Sequence, residues 1–217
     1  MSTNYNPSVI SDGLVLYVDA ANIKSYPGSG LTWYDLSGNA KHGTLTNGPL
    51  YSSGAIVFDG SNDYINIGDI GSPQQFTFSA WINVTELDKD ANNNYRRILT
   101  NSANTAIILI EEAGSISFRI PGHTTQTNYN AGLVSLNTWT LVTCVYNQDY
   151  RTIYQNGVFK GQNQIGPTTV SFGNVQIGSA DAQAFKGYIS NCSIYNRALS
   201  ATEVAQNFNA IRGRYGL

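Results

Sequence analysis

The stretch from Phe185 to Ile211 runs a strand straight into a helix, and it holds the one strong helix signature in a chain of 217 residues. Ser200 stands at the N-cap and Glu203 three places later. That is the spacing of a capping box, in which each side chain satisfies a backbone donor left free by the first turn. Leu199 and Val204 occupy the two positions of a hydrophobic staple. Val204, Phe208 and Ile211 then recur at i, i+4 and i+7, which gives the helix one apolar face. Gly213 is placed to end it. The rest of the chain must therefore be built from strands and turns.

Composition agrees. Charged residues make up 12% of the chain, about half the usual share in soluble proteins. Gly, Asn, Ser and Thr supply the polarity instead, a balance that suits strands and tight turns. The length fits one large all-β domain, and no charge run or Pro/Ser-rich linker divides it. We expect a tail over residues 1–12 and a single domain over 13–217. A net charge of −2 leaves no strongly basic face, so no nucleic-acid partner is expected. No apolar run approaches about 18 residues, so no membrane insertion is expected. The N-terminus lacks the basic and apolar regions of a signal peptide, so the chain is expected to be made in the cytoplasm without one. Cys144 and Cys192 fall in two expected core strands; buried free thiols are the first reading and one bridge the other. Asn83-Val-Thr and Asn191-Cys-Ser match the glycosylation pattern but lie inside expected strands.

Strands are expected at Leu14–Asp19, Ala55–Phe58, Tyr64–Ile67, Phe76–Val84, Arg97–Thr100, Ala106–Glu111, Ile116–Ile120, Trp139–Tyr146, Arg151–Gln155, Val158–Gly161, Val175–Gly178 and Gly187–Tyr195. Residues 20–49 read as a long loop, ordered around Trp33-Tyr-Asp-Leu-Ser-Gly-Asn. Phe76, Phe78, Ala80, Ile82 and Val84 alternate with Thr77, Ser79, Trp81 and Asn83, which predicts one core face and one wetter face. Trp139–Tyr146 is apolar on both sides and reads as a covered central strand. Asn156-Gly157 is a strong hairpin signal. Many short strands with Gly/Asn turns mean a sandwich or jelly roll.

In order along the chain come Phe76-Thr-Phe-Ser-Ala-Trp-Ile, Trp139-Thr-Leu-Val, Ile153-Tyr-Gln-Asn-Gly-Val, Ile177-Gly, Phe185-Lys-Gly-Tyr-Ile and Tyr195-Asn-Arg-Ala-Leu-Ser. This set resembles the concanavalin A-like, laminin G-like jelly roll, roughly from Gly13 to Ile211. The resemblance implies two antiparallel sheets, one concave and one convex, with the short C-terminal helix outside them. It implies a binding module for glycans or proteins, in some members with calcium at a loop rim. The opening Gly13-Leu-Val-Leu-Tyr-Val-Asp-Ala-Ala-Asn, the segment from Trp33 to Asn39 and the ending Asn207-Phe-Asn-Ala-Ile-Arg-Gly-Arg-Tyr-Gly are similar to modules of tailed-bacteriophage structural and adhesion proteins. That implies a place on a virion, in an oligomer or alone.

Three chemistries are open to such a fold. Glycoside hydrolysis needs two carboxylates facing each other across a cleft. Glu111 and Glu112 are adjacent and on a strand would point to opposite faces. Glu86, Asp88 and Asp90 alternate within an asparagine-rich loop that reads as solvated. His42 and His123 have no nearby nucleophile pattern. A non-enzyme is expected, with a divergent glycosidase as an alternative. Calcium is the only candidate cofactor. Asp59, Asn62 and Asp63 offer hard oxygens on a tight turn, and Asn191 stands where relatives commonly carry an acid. The competing reading has Asp59 and Asp63 capping their own turn. For sugar binding, Trp81 shares its strand face with Ser79 and Asn83, and the loops add Tyr95, Arg96, His123, Asn128 and Tyr129. Trp33 and Trp139 read as core. The expected role is a non-catalytic module binding surface glycan from a phage particle. The alternative is a structural virion protein that binds other virion subunits.

Overall fold

The computed structural model describes residues 7–87, 95–101, 107–120, 129–168, 170, 172–180 and 183–217. Among the described residues, sixteen strands form two antiparallel sheets. In chain order they are β1 (Leu14–Asp19), β2 (Thr32–Trp33), β3 (Gly43–Thr46), β4 (Leu50–Ser52), β5 (Ala55–Asp59), β6 (Tyr64–Gly68), β7 (Phe76–Val84) and β8 (Arg96–Asn101). They continue with β9 (Ile107–Ile110), β10 (Ser115–Arg119), β11 (Tyr129–Leu133), β12 (Trp139–Tyr146), β13 (Tyr150–Gln155), β14 (Val158–Gln164), β15 (Val175–Gly178) and β16 (Lys186–Tyr195). One helix, α1 (Ala201–Ile211), follows, with a 3-10 turn over Arg212–Tyr215.

One sheet runs β14-β13-β12-β7-β16-β5-β4, the other β11-β10-β9-β8-β15-β6-β3-β2. β16 changes partner along its length: Lys186–Ile189 pair with β5 and Asn191–Tyr195 with β1, across a register break. The even residues of β7 face the second sheet as expected. Phe76 sits at the centre of that core, edge-on to Phe172 at 4.9 Å and to Phe118 at 5.9 Å. The jelly-roll sandwich read from the sequence is thus the observed fold.

At one side of the sandwich the two sheets are joined by a side chain. The Gln155 amide accepts from Leu133 N–H at 3.2 Å and donates to Leu133 C=O at 2.6 Å, so β13 of one sheet clasps β11 of the other.

The helix forms where the capping box placed it. Glu203 N–H donates to Ser200 Oγ at 3.3 Å, and Ser200 N–H donates to Glu203 at 2.8 Å. Leu199 and Val204 are buried together with Tyr195. Gly213 does not end the helix; it lies inside the 3-10 turn, and the left-handed stop falls at Gly216. The helix lies across the outer face of the first sheet. This changes the reading of that face: Thr77, Ser79 and Trp81 are buried, not wet.

The loop expected over 20–49 contains two strands, β2 and β3, and the edge strand β4 begins at Leu50 directly after it. Its ordering residue is Asp35, whose carboxylate accepts four hydrogen bonds: from Tyr17 N–H at 2.9 Å, Ser37 N–H at 2.9 Å, Ser37 Oγ–H at 2.7 Å and Lys41 N–H at 3.1 Å. Cys144 and Cys192 are free and buried. They lie on β12 and β16 with β7 between them, so two strand spacings, about 10 Å, rule out a bridge.

Candidate functional site

The residues singled out from sequence fall in separate places. Asp59, Asn62, Asp63 and Arg96 gather at one rim, beside the end of β7 and the start of β16. There Glu86 is bridged by Arg96 through one carboxylate oxygen and by Lys186 through the other. Its pKa is lowered, chiefly by the hydrogen bond from Lys186, against a smaller opposing push from burial. Arg96 also donates to the Ala184 carbonyl at 3.2 Å. It is nearly buried and holds the rim together, so it is not free to grip a ligand. Tyr95 lies next to it, half-buried.

The rim carboxylates serve their own turn. Asp63 accepts from Asp59 N–H at 2.9 Å, and Asp59 accepts from Ser61 N–H at 2.7 Å. Burial first, and then the charge of Asp59, raise the pKa of Asp63. Asn62 contributes its backbone carbonyl to the Asn47 amide at 3.0 Å. Asn191 lies elsewhere. Lys186 is the register partner of Asp59, and Asn191 is five residues further along β16, about 17 Å away at the rise of a strand. The four residues do not converge, and among the described residues no group of three or more acidic, His or Cys side chains is gathered as a metal ion requires.

Trp81 and Asn191 are register partners under the C-terminal segment. Trp81 is fully buried, stacked on Tyr215 at 4.1 Å and on Phe208 at 5.7 Å. The indole is thus covered by the chain's own C-terminal segment. Arg214 ties this cover down through two hydrogen bonds to Asp19, at 2.7 and 3.0 Å. The cavity left beneath is about 10 Å³, too small for a sugar ring. Tyr129 packs at the sandwich edge under the Arg151 guanidinium, 5.7 Å from its centroid. His123 and Asn128 lie outside the described residues. Glu111 does not sit on a strand; β9 stops at Ile110, and Glu111 leads into a 3-10 turn. A hollow of about 390 Å³ near the C-terminus is lined only by residues of 209–217, with no facing element among the described residues.

The outer face beyond the helix is different. Strand pairing aligns Leu50 with Val57, Val57 with Tyr188, Tyr188 with Asn83, and Asn83 with Trp139. Directly paired residues share a face, so these five make one row across β4, β5, β16, β7 and β12. The row lies on the side away from the core, because Asn83 is odd-numbered like Trp81. Trp139, read from sequence as core, is instead only partly buried. Its ring lies 6.4 Å from that of Tyr188 and 4.9 Å from Tyr215. Between the two rings sits Asn83, whose amide oxygen is buried without a hydrogen-bond partner. Gly187 makes the close approach of β16 to β7 possible here: at φ 139°, a Cβ would lie 2.2 Å from the Asn83 carbonyl oxygen. The row combines two partly buried aromatic rings with a half-buried amide. Such rings can stack on the C–H face of a sugar ring.

A family model described as the concanavalin A-like lectin/glucanases superfamily matches residues 59–205. No curated protein matches the chain. Among solved structures, the chain is similar to a Trypanosoma rangeli sialidase in complex with sialic acid, with a TM-score of 0.71 and 15% identity over 94% of this chain and 34% of the sialidase. It is similar to the binding domain of Paraclostridial Mosquitocidal Protein 1, with a TM-score of 0.66 and 20% identity over 92% of this chain and 52% of that one. The botulinum neurotoxin serotype D binding domain gives a TM-score of 0.67 and 16% identity over 92% and 52%. The chain thus spans about a third of the sialidase and about half of each toxin domain. At these identities the likeness is one of fold.

Proposed function

Because the chain belongs to the concanavalin A-like lectin/glucanases superfamily, we propose that it is a non-catalytic carbohydrate-binding module. The observation that carries this reading is the pair of partly buried rings, Trp139 and Tyr188, 6.4 Å apart in one row of the outer face. Hydrolysis would need two opposed carboxylates with room for a substrate between them. The acids described here support binding over turnover: Glu86 is bridged by two cations, and Asp35, Asp59 and Asp63 serve turns. None lies in the row itself.

The proposal includes display on a phage particle, which rests on the likeness of the opening segment, the Trp33–Asn39 segment and the ending to phage modules. A structural virion role without a sugar ligand is the second reading. It is favoured by exposed apolar residues on the edge strands, with Leu133 at 62%, Val158 at 57% and Phe159 at 52% exposure.

A glycan array separates the two. Saturable binding to a limited set of glycans, without turnover of any of them, supports the module. An array with no binder, together with co-purification of the chain with assembled particles, supports the structural role. Cleavage of any array glycan overturns the non-catalytic assignment.

A further inference from the structure

The row that begins at Trp139 does not end at Tyr188. It continues through Val57 to Leu50, which is 69% exposed at the edge of the sheet. Four strand spacings separate Leu50 from Trp139, about 19 Å. The chemistry changes along that line: two aromatic rings with an amide between them at one end, two branched aliphatic side chains at the other. Polar hydroxyls gain nothing from an aliphatic surface, whereas a methyl group does.

The flanks of the row also discriminate. On one side lie Trp81 and Tyr215, closed by the C-terminal segment. On the other, one step along the same strands, Lys186 is register partner to Asp59. Asp59 is exposed, and the Lys186 ammonium is bound to Glu86. A sugar carboxylate in the row would therefore meet an exposed aspartate and a lysine already paired.

We infer that the row from Trp139 to Leu50 binds a neutral oligosaccharide laid across the strands, with the methyl of an N-acetylated or 6-deoxy sugar seated on Val57 and Leu50. This rests on the carbohydrate-binding reading above and adds the class of ligand. The Trp139–Tyr188 end stacks a sugar ring. The Val57–Leu50 end reads the substituent. Because the two ends are distinct, they can be tested apart.

The test is titration of the whole chain with triacetylchitotriose, with cellotriose as its counterpart lacking the acetamido groups, with a rhamnose trisaccharide, and with a sialylated trisaccharide. The chitotriose and rhamnose arms distinguish the two sources of the methyl. Burying one methyl predicts about fourfold tighter binding of a methyl-bearing glycan than of cellotriose. The preference should vanish in Leu50→Ser and in Val57→Ser, with Tm unchanged for the exposed Leu50 position. The sialylated glycan should bind weakest. Equal affinity for cellotriose and both methyl-bearing glycans, a preference that survives Leu50→Ser in a folded variant, or tightest binding of the sialylated glycan would overturn this inference while leaving a sugar-binding module in place. Failure of every glycan, on the array as well, would overturn the binding function and this inference with it.

Discussion

Replacing Asp35 by Ala removes the acceptor of four hydrogen bonds that hold the 34–41 loop to β1. The donors are Tyr17 N–H, Ser37 N–H, Ser37 Oγ–H and Lys41 N–H, at 2.7 to 3.1 Å. Hydrogen bonds to a charged acceptor contribute roughly 1.5–3 kcal/mol each when buried, and neutral ones about 1. Asp35 is only half-buried, and the freed donors can reach water in part, so the lower figure is used and not all four count in full. The expected loss is about 3 kcal/mol. For a domain of this size that lowers Tm by roughly 6–12 °C. Burial alone would raise the carboxyl pKa, but the hydrogen bonds from Tyr17, Ser37 and Lys41 outweigh it and hold the value below the usual range. The folded pKa thus lies under the unfolded one, near 3.9. Stability from Asp35 is complete above that unfolded value and fades as pH falls toward the folded one. Differential scanning calorimetry of wild type and Asp35→Ala should show a wide Tm gap at neutral pH that narrows below about pH 4. A gap under about 2 °C at neutral pH, or one that stays constant down to about pH 3, would refute the reasoning.

Three further outcomes are expected. Arg214→Ala leaves Asp19, 3% exposed, without its paired donors; because the arginine is 38% exposed, the loss is about 2 kcal/mol, below the 3–5 of a fully buried pair, and tryptophan fluorescence should shift to the red as Trp81 is uncovered. Cys144 and Cys192 are buried with their pKa values pushed up by burial, so a thiol reagent should label neither until the chain unfolds, and reduction should leave the mass and Tm unchanged. Millimolar calcium should leave Tm unmoved, since an ion bound to the folded state alone would raise it.

How much of this was legible in the sequence depends on which interactions are local. The capping box, the staple and the apolar stripe of α1 lie within a dozen residues, and all are present. The alternation of β7 identified its core side correctly, because a period of two needs no knowledge of neighbours. What alternation cannot tell is which part of the other side a distant helix covers. Trp81 and Asn83 are two residues apart on the same face. Phe208 and Tyr215 stack on the first, and the second is half-buried. Trp139 had the opposite fate for the same reason: its strand is central, but its end extends past the helix. Tyr188 gave no signal of its own, since its role depends on register with Asn83 and Val57. β2, β3 and β4 are only two to four residues long, and they are strands because neighbours pair with them. The Asp59–Asp63 turn could be read as a metal loop or as a self-capped turn. Its hydrogen bonds are those of a self-capped turn.

The claim that the outer-face row is the sugar site is tested most directly by titrating an array-positive glycan into Trp139→Leu and Tyr188→Leu, with Lys186→Ala as the rim control. Loss of a stacking ring should weaken binding roughly tenfold in each row variant. The rim variant should bind like wild type, with all three retaining a cooperative melt. Row variants with undiminished affinity, or loss confined to Lys186→Ala, would contradict the account.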